Sequence, residues 1–315
     1  MSIVAVTGAN GFVGGAVVDH LTEQDVSVRP LVRRGGTPGL VAPDLGSAAD
    51  WSALLSGCDS VVHCAARVHM LQEVTDALAL YREVNVAGTR RLAEQAARVG
   101  VRRFVFVSSI KVNGESTGGA QEPPIFRSAD RPAPQGAYAL SKIEAERALF
   151  EIASRTGLEV VIIRPPLVYG PGVRANFLRL MTWVDRGIPL PLGSIDNRRS
   201  MVFVRNLASL VSACITAREA VGQVLLVSDG EDVSTPGLVR ILAGAMARPA
   251  RILPVPKSVL RSAARLLGRS DEVDRLLGSL QVDIEPTRRL LGWSPPVSLP
   301  TGIVETSNHF KGARS

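Results

Sequence analysis

The turn that links the first strand to the first helix limits this chain to few folds. Ile3 to Val6 is apolar and β-branched in character, and Thr7-Gly8-Ala9-Asn10-Gly11-Phe12-Val13-Gly14 follows it directly, opening an amphipathic pattern that runs from Phe12 to Glu23. Glycines spaced GxxGxxG between a strand and a helix have a physical use. Gly8 permits the tight turn, Gly11 lets backbone approach a pyrophosphate, and Gly14 lets helix and sheet pack closely. The helix N-terminus meanwhile offers free amides and the positive end of its dipole. Gly8, Asn10, Gly11, Phe12, Val13 and Gly14 are therefore the expected phosphate-side contacts of a dinucleotide.

The pattern that follows extends the same architecture. Near-continuous apolar runs at Val26 to Val32, Leu40 to Ala42, Ser60 to Cys64, Arg103 to Ser108 and Glu159 to Arg164 read as strands buried on both faces. Helical patterns at Tyr81 to Val99 and Tyr138 to Arg155 alternate with them, which predicts βαβ units and an α/β fold, a Rossmann doubly wound parallel sheet. Residues 1–170 are expected to bind the dinucleotide. Residues 171–315 change to shorter, Pro-punctuated elements: helices at Asn176 to Asp185, Leu207 to Ala217, Leu238 to Met246 and Ser258 to Leu267, and strands at Met201 to Val204 and Val224 to Val227. This reads as a smaller, interleaved C-terminal α/β substrate domain, some segments of which return to the first, with a tail after Thr306 expected to be mobile. Between Ile110 and Ala137 lie 28 residues with four prolines and four glycines, a length that points to a functional loop.

Composition excludes several classes. With 46% hydrophobic residues, the 315-residue chain has ample material for a core, yet its apolar runs fall far short of the roughly 20 residues of a membrane helix. Three cysteines, Cys58, Cys64 and Cys214, are too few and too scattered for a disulfide framework or a metal cluster, so no metal is expected and a reducing, cytoplasmic setting fits. With an apolar strand pattern from Ile3, no targeting peptide is expected. A net charge of +7 with dispersed arginines suits phosphate-bearing ligands, and neither a nucleic-acid nor a membrane partner is expected.

The second strand ends Leu31-Val32-Arg33-Arg34, with no carboxylate to accept a ribose 2′-hydroxyl. Arg33 and Arg34 would instead hold a 2′-phosphate, so NADP(H) is favoured and NAD(H) remains possible. Asp44 and Leu45 would lie near the adenine. Tyr138 and Lys142, four apart on one helix face, are neighbours, and an ammonium beside a phenol favours phenolate at working pH. Ser109, at the carboxyl end of the fifth strand, is placed to donate to a substrate oxygen.

Taken with Asn85-Val86-Ala87-Gly88-Thr89, His63-Cys64-Ala65-Ala66 and Arg164-Pro165-Pro166-Leu167-Val168-Tyr169-Gly170-Pro171, these motifs resemble the extended short-chain dehydrogenase/reductase family of sugar-nucleotide epimerases, dehydratases and reductases over nearly the whole chain. The resemblance implies Ser109, Tyr138 and Lys142 as a catalytic triad, with Cys64, Ala65, Ala66, Asn85, Val107, Pro165 and Val168 among the cofactor contacts. It also implies a UDP-sugar substrate and a homodimer. Substrate contacts are expected from Arg67, His69, Ser109, Lys111, Asn113, Asn176, Leu190, Leu192, Arg199 and Asp283. Ile110 and Lys111 replace the Asp-Glu pair of the dehydratases, and Asn113 stands where epimerases commonly carry Tyr. The strings around Ser109, Arg67 and Val173 are similar to reductases of bacterial surface-polysaccharide clusters. The leading expectation is therefore NADPH-dependent reduction of the 4-keto group of a UDP-6-deoxy-N-acetylhexosamine, giving an N-acetylquinovosamine or N-acetylfucosamine donor. The alternatives are a UDP-hexose 4-epimerase with tightly bound NAD and a non-catalytic NADP-sensing regulator.

Overall fold

The computed structural model describes residues 2–33, 39–68, 76–119, 124–266, 268 and 270–313. Its strands are β1 (Ile3–Thr7), β2 (Ser27–Val32), β3 (Leu40–Val41), β4 (Ser60–His63), β5 (Arg103–Val107), β6 (Glu159–Arg164), β7 (Leu167–Tyr169), β8 (Arg199–Phe203), β9 (Val224–Leu226) and β10 (Asp232–Val233). Seven of them form one parallel sheet in the order β3-β2-β1-β4-β5-β6-β9. The chain winds outward from β1 in one direction through β2 and β3, then crosses to β4 and continues the other way. The crevice at the carboxyl ends of β1 and β4 is thus the switch point where ligands of such sheets bind.

Alternation along each strand explains the continuous apolar runs. Val4, Val6, Val62, Val105 and Val161 face helices Phe12–Glu23 and Val204–Thr216, meeting Val17, Leu21, Leu207 and Val211. Their neighbours Ala5, Val61, Phe104, Val160 and Ile162 face the opposite layer, meeting Leu92, Ala96, Leu149 and Ile152 from helices Gly88–Arg98 and Gly136–Thr156. Each face is buried by a different set of helices, so no position along the strand has to be polar.

A second, smaller lobe is built on a three-stranded sheet, β10-β8-β7, in which β7 runs parallel and β10 antiparallel to β8. Its core gathers Tyr169, Phe177, Met181, Phe203, Leu242 and Ile303. The chain leaves this lobe after β8 to supply helix Val204–Thr216 and β9 to the main sheet, then returns. The end of the chain differs from expectation: Leu299–Gly312 is a helix whose Ile303, Thr306 and Phe310 are buried, started by Ser298, which accepts from the Thr301 amide. Its apolar residues recur at helical spacing, and their partners on β8 lie a hundred residues away, beyond any local pattern.

The helix expected from Tyr81 to Val99 is instead Ala77–Tyr81, a π-helical stretch Arg82–Ala87, and Gly88–Arg98. Two tertiary demands coincide there. A Cβ on Gly88 would lie 2.9 Å from the Gly46 nitrogen, so the helix must approach that loop closely, while Asn85 turns inward. An extra residue in the turn allows both. The long segment after β5 is tied to the second lobe by bridges from Thr117 to Ser279 and Phe126 to Val282, and by a small core of Ile110, Phe126, Leu226, Leu280, Val282 and Ile284. Among the described residues no helix is long and apolar enough to cross a membrane.

Candidate active site

At the end of β1 the chain turns sharply. Gly8 has φ +67°, and its open side meets the Ala65 backbone, where a Cβ would stand 3.0 Å from the Ala65 nitrogen. A Cβ on Gly14 would stand 2.1 Å from the Gly8 carbonyl oxygen, so no larger residue fits. The Gly11 amide donates to the Gly8 carbonyl at 2.8 Å, and helix Phe12–Glu23 begins with no side-chain cap and no acid in its first turn. Its first amides therefore keep their donor capacity for an anion. Asn10 is exposed at the tip, Val13 packs on the main core, and Phe12 packs against the core of the second lobe. The turn, with Cys64, Ala65 and Ala66 beside it after β4, fits a dinucleotide pyrophosphate.

His63 holds this corner together. Its Nδ1 lies 2.7 Å from the Thr7 hydroxyl and its Nε2 3.0 Å from the Thr89 hydroxyl, and its ring stacks on Phe106 at 5.6 Å between centroids. Burial drives its pKa down to about 3, so it stays neutral. Sequence reading took His63 only as part of a motif. Its partners Thr7 and Thr89 lie on other elements, and no local spacing reveals them.

Tyr138 and Lys142 project one turn apart from helix Gly136–Thr156 toward the carboxyl end of β5. The Lys142 ammonium is buried, donates to the Val107 carbonyl at 2.8 Å and sits 4.0 Å above the Phe106 ring. Burial lowers its pKa to about 7, opposed by the charge of Glu146. The Tyr138 ring meets Tyr81 edge-on at 6.0 Å. Burial pushes its phenol up to about 12, while the Ser109 hydroxyl, within hydrogen-bonding reach, pulls the other way. The lowering of the phenol by Lys142 expected from their spacing is not what this structure shows, because Lys142 is turned to the Val107 carbonyl. Ser109 also accepts from the Lys111 amide at 3.3 Å, which fixes the turn leaving β5. Ser109, Tyr138 and Lys142 are thus brought to one place from two elements.

A buried network underneath fixes these elements. Arg164 and Glu146 form a two-pronged ion pair at 3.0 and 2.5 Å with side chains only 4% and 2% exposed, the Ser108 hydroxyl donates to Glu146, and Arg164 donates to Asn113 at 2.9 Å. Glu146 lies one turn beyond Lys142 on the same helix face. Its i+4 spacing was a signal, but an acid in an amphipathic helix looks like a solvated one.

Several expected contacts fall elsewhere. Asn113 is buried and spent on Arg164 and on the Arg127 carbonyl, at 2.9 Å each, so it does not face a substrate. Asn85 is buried too, accepting from the Arg67 amide at 2.8 Å and donating to the Arg67 carbonyl and the Ser141 hydroxyl; it shapes the loop after β4. Leu190 and Leu192 are buried in the second-lobe core, which leaves them no apolar wall to offer. Asn176 is exposed in the first turn of helix Ala175–Asp185, whose cap is Arg174, and accepts from Arg179 at 3.1 Å. Arg199 donates to the Arg275 and Gly278 carbonyls at 2.7 and 3.1 Å, tying β8 to the C-terminal segment. Asp283 accepts from the Glu285 amide and pairs with Arg127 at 3.7 Å. Lys111 pairs with Glu115 at 2.9 Å, beside Arg199. Pro165 is buried and Val168 half-buried near the β6 end, Leu45 packs on the main core and Asp44 is exposed. Arg33 is exposed past β2, whereas Arg34 and His69 lie outside the described residues.

A sequence model of the NAD dependent epimerase/dehydratase family matches residues 4–227. Over 99% of its length the chain is 47% identical to a protein of Vibrio cholerae described as a UDP-glucose 4-epimerase, covering 96% of it. Among solved structures, MoeE5 in complex with UDP-glucose and NAD superposes with a TM-score of 0.78 at 26% identity over the full length of both chains. The Thermus thermophilus UDP-glucose 4-epimerase in complex with NAD superposes with a TM-score of 0.77 at 22% identity, covering 99% of each, a likeness of fold.

Proposed function

The chain belongs to the NAD-dependent epimerase/dehydratase family, and from that premise we propose that it inverts the 4-position of a UDP-hexose, keeping NAD bound throughout the cycle. The observation that carries this reading is the 47% identity with the Vibrio cholerae UDP-glucose 4-epimerase across almost all of both chains. It replaces the NADPH-dependent 4-keto reductase expected from sequence strings, which that relative contradicts. Asn113, where epimerases commonly carry Tyr, is buried and bonded to Arg164.

NAD, when bound, supplies a hydride acceptor and a positively charged ring. The residues that would hold it are Gly8, Gly11 and Gly14 with the following helix end at the pyrophosphate, and Cys64, Ala65, Ala66 and Lys142 toward the nicotinamide. The NAD in the MoeE5 complex supports the choice of NAD over NADP. Tyr138 takes the proton of the substrate 4-hydroxyl as that carbon is oxidised and returns it to the opposite epimer. Ser109, within reach of the phenol, donates to the same substrate oxygen and orients it. Lys142 holds the strand end that leads to Ser109 through the Val107 carbonyl. The turn after β5 offers buried Ile110 and Lys111 in place of an acid pair, so water elimination has no catalyst there.

Purified protein given UDP-galactose with no added nucleotide should form UDP-glucose, and denaturation should release NAD in near-stoichiometric amount. Absence of conversion, together with release of NADP or no nucleotide, rejects this reading.

A further inference from the structure

By position the Lys and Arg residues look scattered, yet the net charge is not. From Val233 to Ser270 the chain holds seven of them, Arg240, Arg248, Arg251, Lys257, Arg261, Arg265 and Arg269, and no Asp or Glu across 38 residues. The 36 Lys and Arg of the whole chain less these seven leave 29, which equals its 29 Asp and Glu. The entire +7 charge therefore resides in one segment.

That segment carries helix Lys257–Leu266, which rests on the second lobe by a narrow face, with Ala264 buried and Leu260 half-buried. Lys257, Arg261 and Arg265 recur every four residues and form a cationic stripe. Val259 and Leu266, seven apart on another flank, are 53% and 88% exposed, and Leu253 in the preceding strap is 48% exposed. Neighbouring acids pair with part of the charge: Arg248 with Asp185, Lys257 with Asp196 and Arg261 with Asp274. Among the described residues Arg240, Arg251 and Arg265 are exposed and have no acidic partner.

We propose that helix Lys257–Leu266 and its strap dock the protein on an anionic lipid surface, with the cations meeting headgroups and Leu266, Val259 and Leu253 entering the boundary layer. The charge distribution decides between partners. A twofold self-interface through this patch would set like charges against one another. A nucleic acid would reward cations but would gain nothing from exposed aliphatics, and the segment carries no aromatic residue to stack on a base. Arg265 on one flank of the exposed helix, Val259 and Leu266 on the other, and Arg251 with Leu253 in the strap match the two attractions of a lipid interface. Such a dock departs from the expectation that no membrane partner exists, which weighed only spanning segments.

The test is co-sedimentation of the full-length protein with phosphatidylcholine vesicles, with and without phosphatidylglycerol. Binding is expected only to the anionic vesicles and should weaken with salt. Arg251→Glu combined with Arg265→Glu should lower partitioning on the order of 25-fold or more, since each cation near such a surface is worth roughly fivefold. Leu266→Glu should lower it as well, and every variant should keep its thermal midpoint and its turnover in solution. No binding to anionic vesicles, or binding that these substitutions leave unchanged, overturns the proposal. So does retention on duplex DNA in place of vesicles, or concentration-dependent self-association abolished by Leu266→Glu.

Discussion

Lys142 sits where an ammonium is costly: buried, with one carbonyl and one aromatic face as its nearest partners. Its pKa is about 7 in the folded protein against an ordinary 10.5. Because the folded value is the lower one, the unfolded chain binds the extra proton between those limits. Stability from this group is therefore present above pH 10.5 and lost as pH falls through about 7. Lys142→Met removes that dependence. Its unfolding free energy relative to the parent should be most favourable at pH 6 and decline as pH rises, while turnover collapses; urea titrations of cofactor-free protein at several pH values check this. A parallel pH dependence in parent and variant would contradict it. Tyr138→Phe should leave fold and bound NAD intact and cut turnover by about 100- to 10,000-fold, the usual worth of a positioned acid-base group. Near-normal turnover would remove Tyr138 from the mechanism. At this scale the meeting of Ser109, Tyr138 and Lys142 in one place was legible in the sequence, because two share a helix face and the third ends a strand. The partners of Asn113 and Asn85, Arg164 and Ser141, were not, because they come from elements distant in sequence.

Among the elements, the first turn and the fifth strand's exit carry the site. Gly14 lies against the Gly8 carbonyl at a distance that admits no Cβ, so Gly14→Ala must displace the turn or the helix. The expected result is protein that folds but has lost most of its NAD, read from the nucleotide released on denaturation; full NAD content would show that the turn tolerates the shift. Beneath the site, Arg164→Met leaves the Glu146 carboxylate buried without its main partner. Breaking a buried pair from one side costs about 3–5 kcal/mol, which equilibrium unfolding in urea would detect. A loss below about 1 kcal/mol would mean that Glu146 takes up a proton at little cost. The strands of the main sheet were legible because burial on both faces leaves an unbroken apolar run. The π-helical stretch at Arg82–Ala87 was not, since its cause is a tertiary approach of Gly88 to Gly46. Nor was the final helix, whose buried face is completed by β8.

In the whole molecule the seven-stranded sheet and the second lobe share segments: helix Val204–Thr216 and β9 belong to the sheet, and the 28-residue excursion after Val107's strand reaches the C-terminal segment at Thr117 and Phe126. Reduction and epimerisation use the same triad, and for that reason the residues alone pointed to either. They differ in where the hydrogen from the 4-position ends, and a single measurement separates them. UDP-galactose carrying deuterium at the 4-position is converted in the presence of excess unlabelled free NAD, and the products are weighed by mass spectrometry. Retained NAD predicts UDP-glucose that keeps its deuterium, with no label in the free nucleotide. Label appearing in free reduced nucleotide, or a sugar product that has lost it, would contradict an epimerase that holds its cofactor through the cycle.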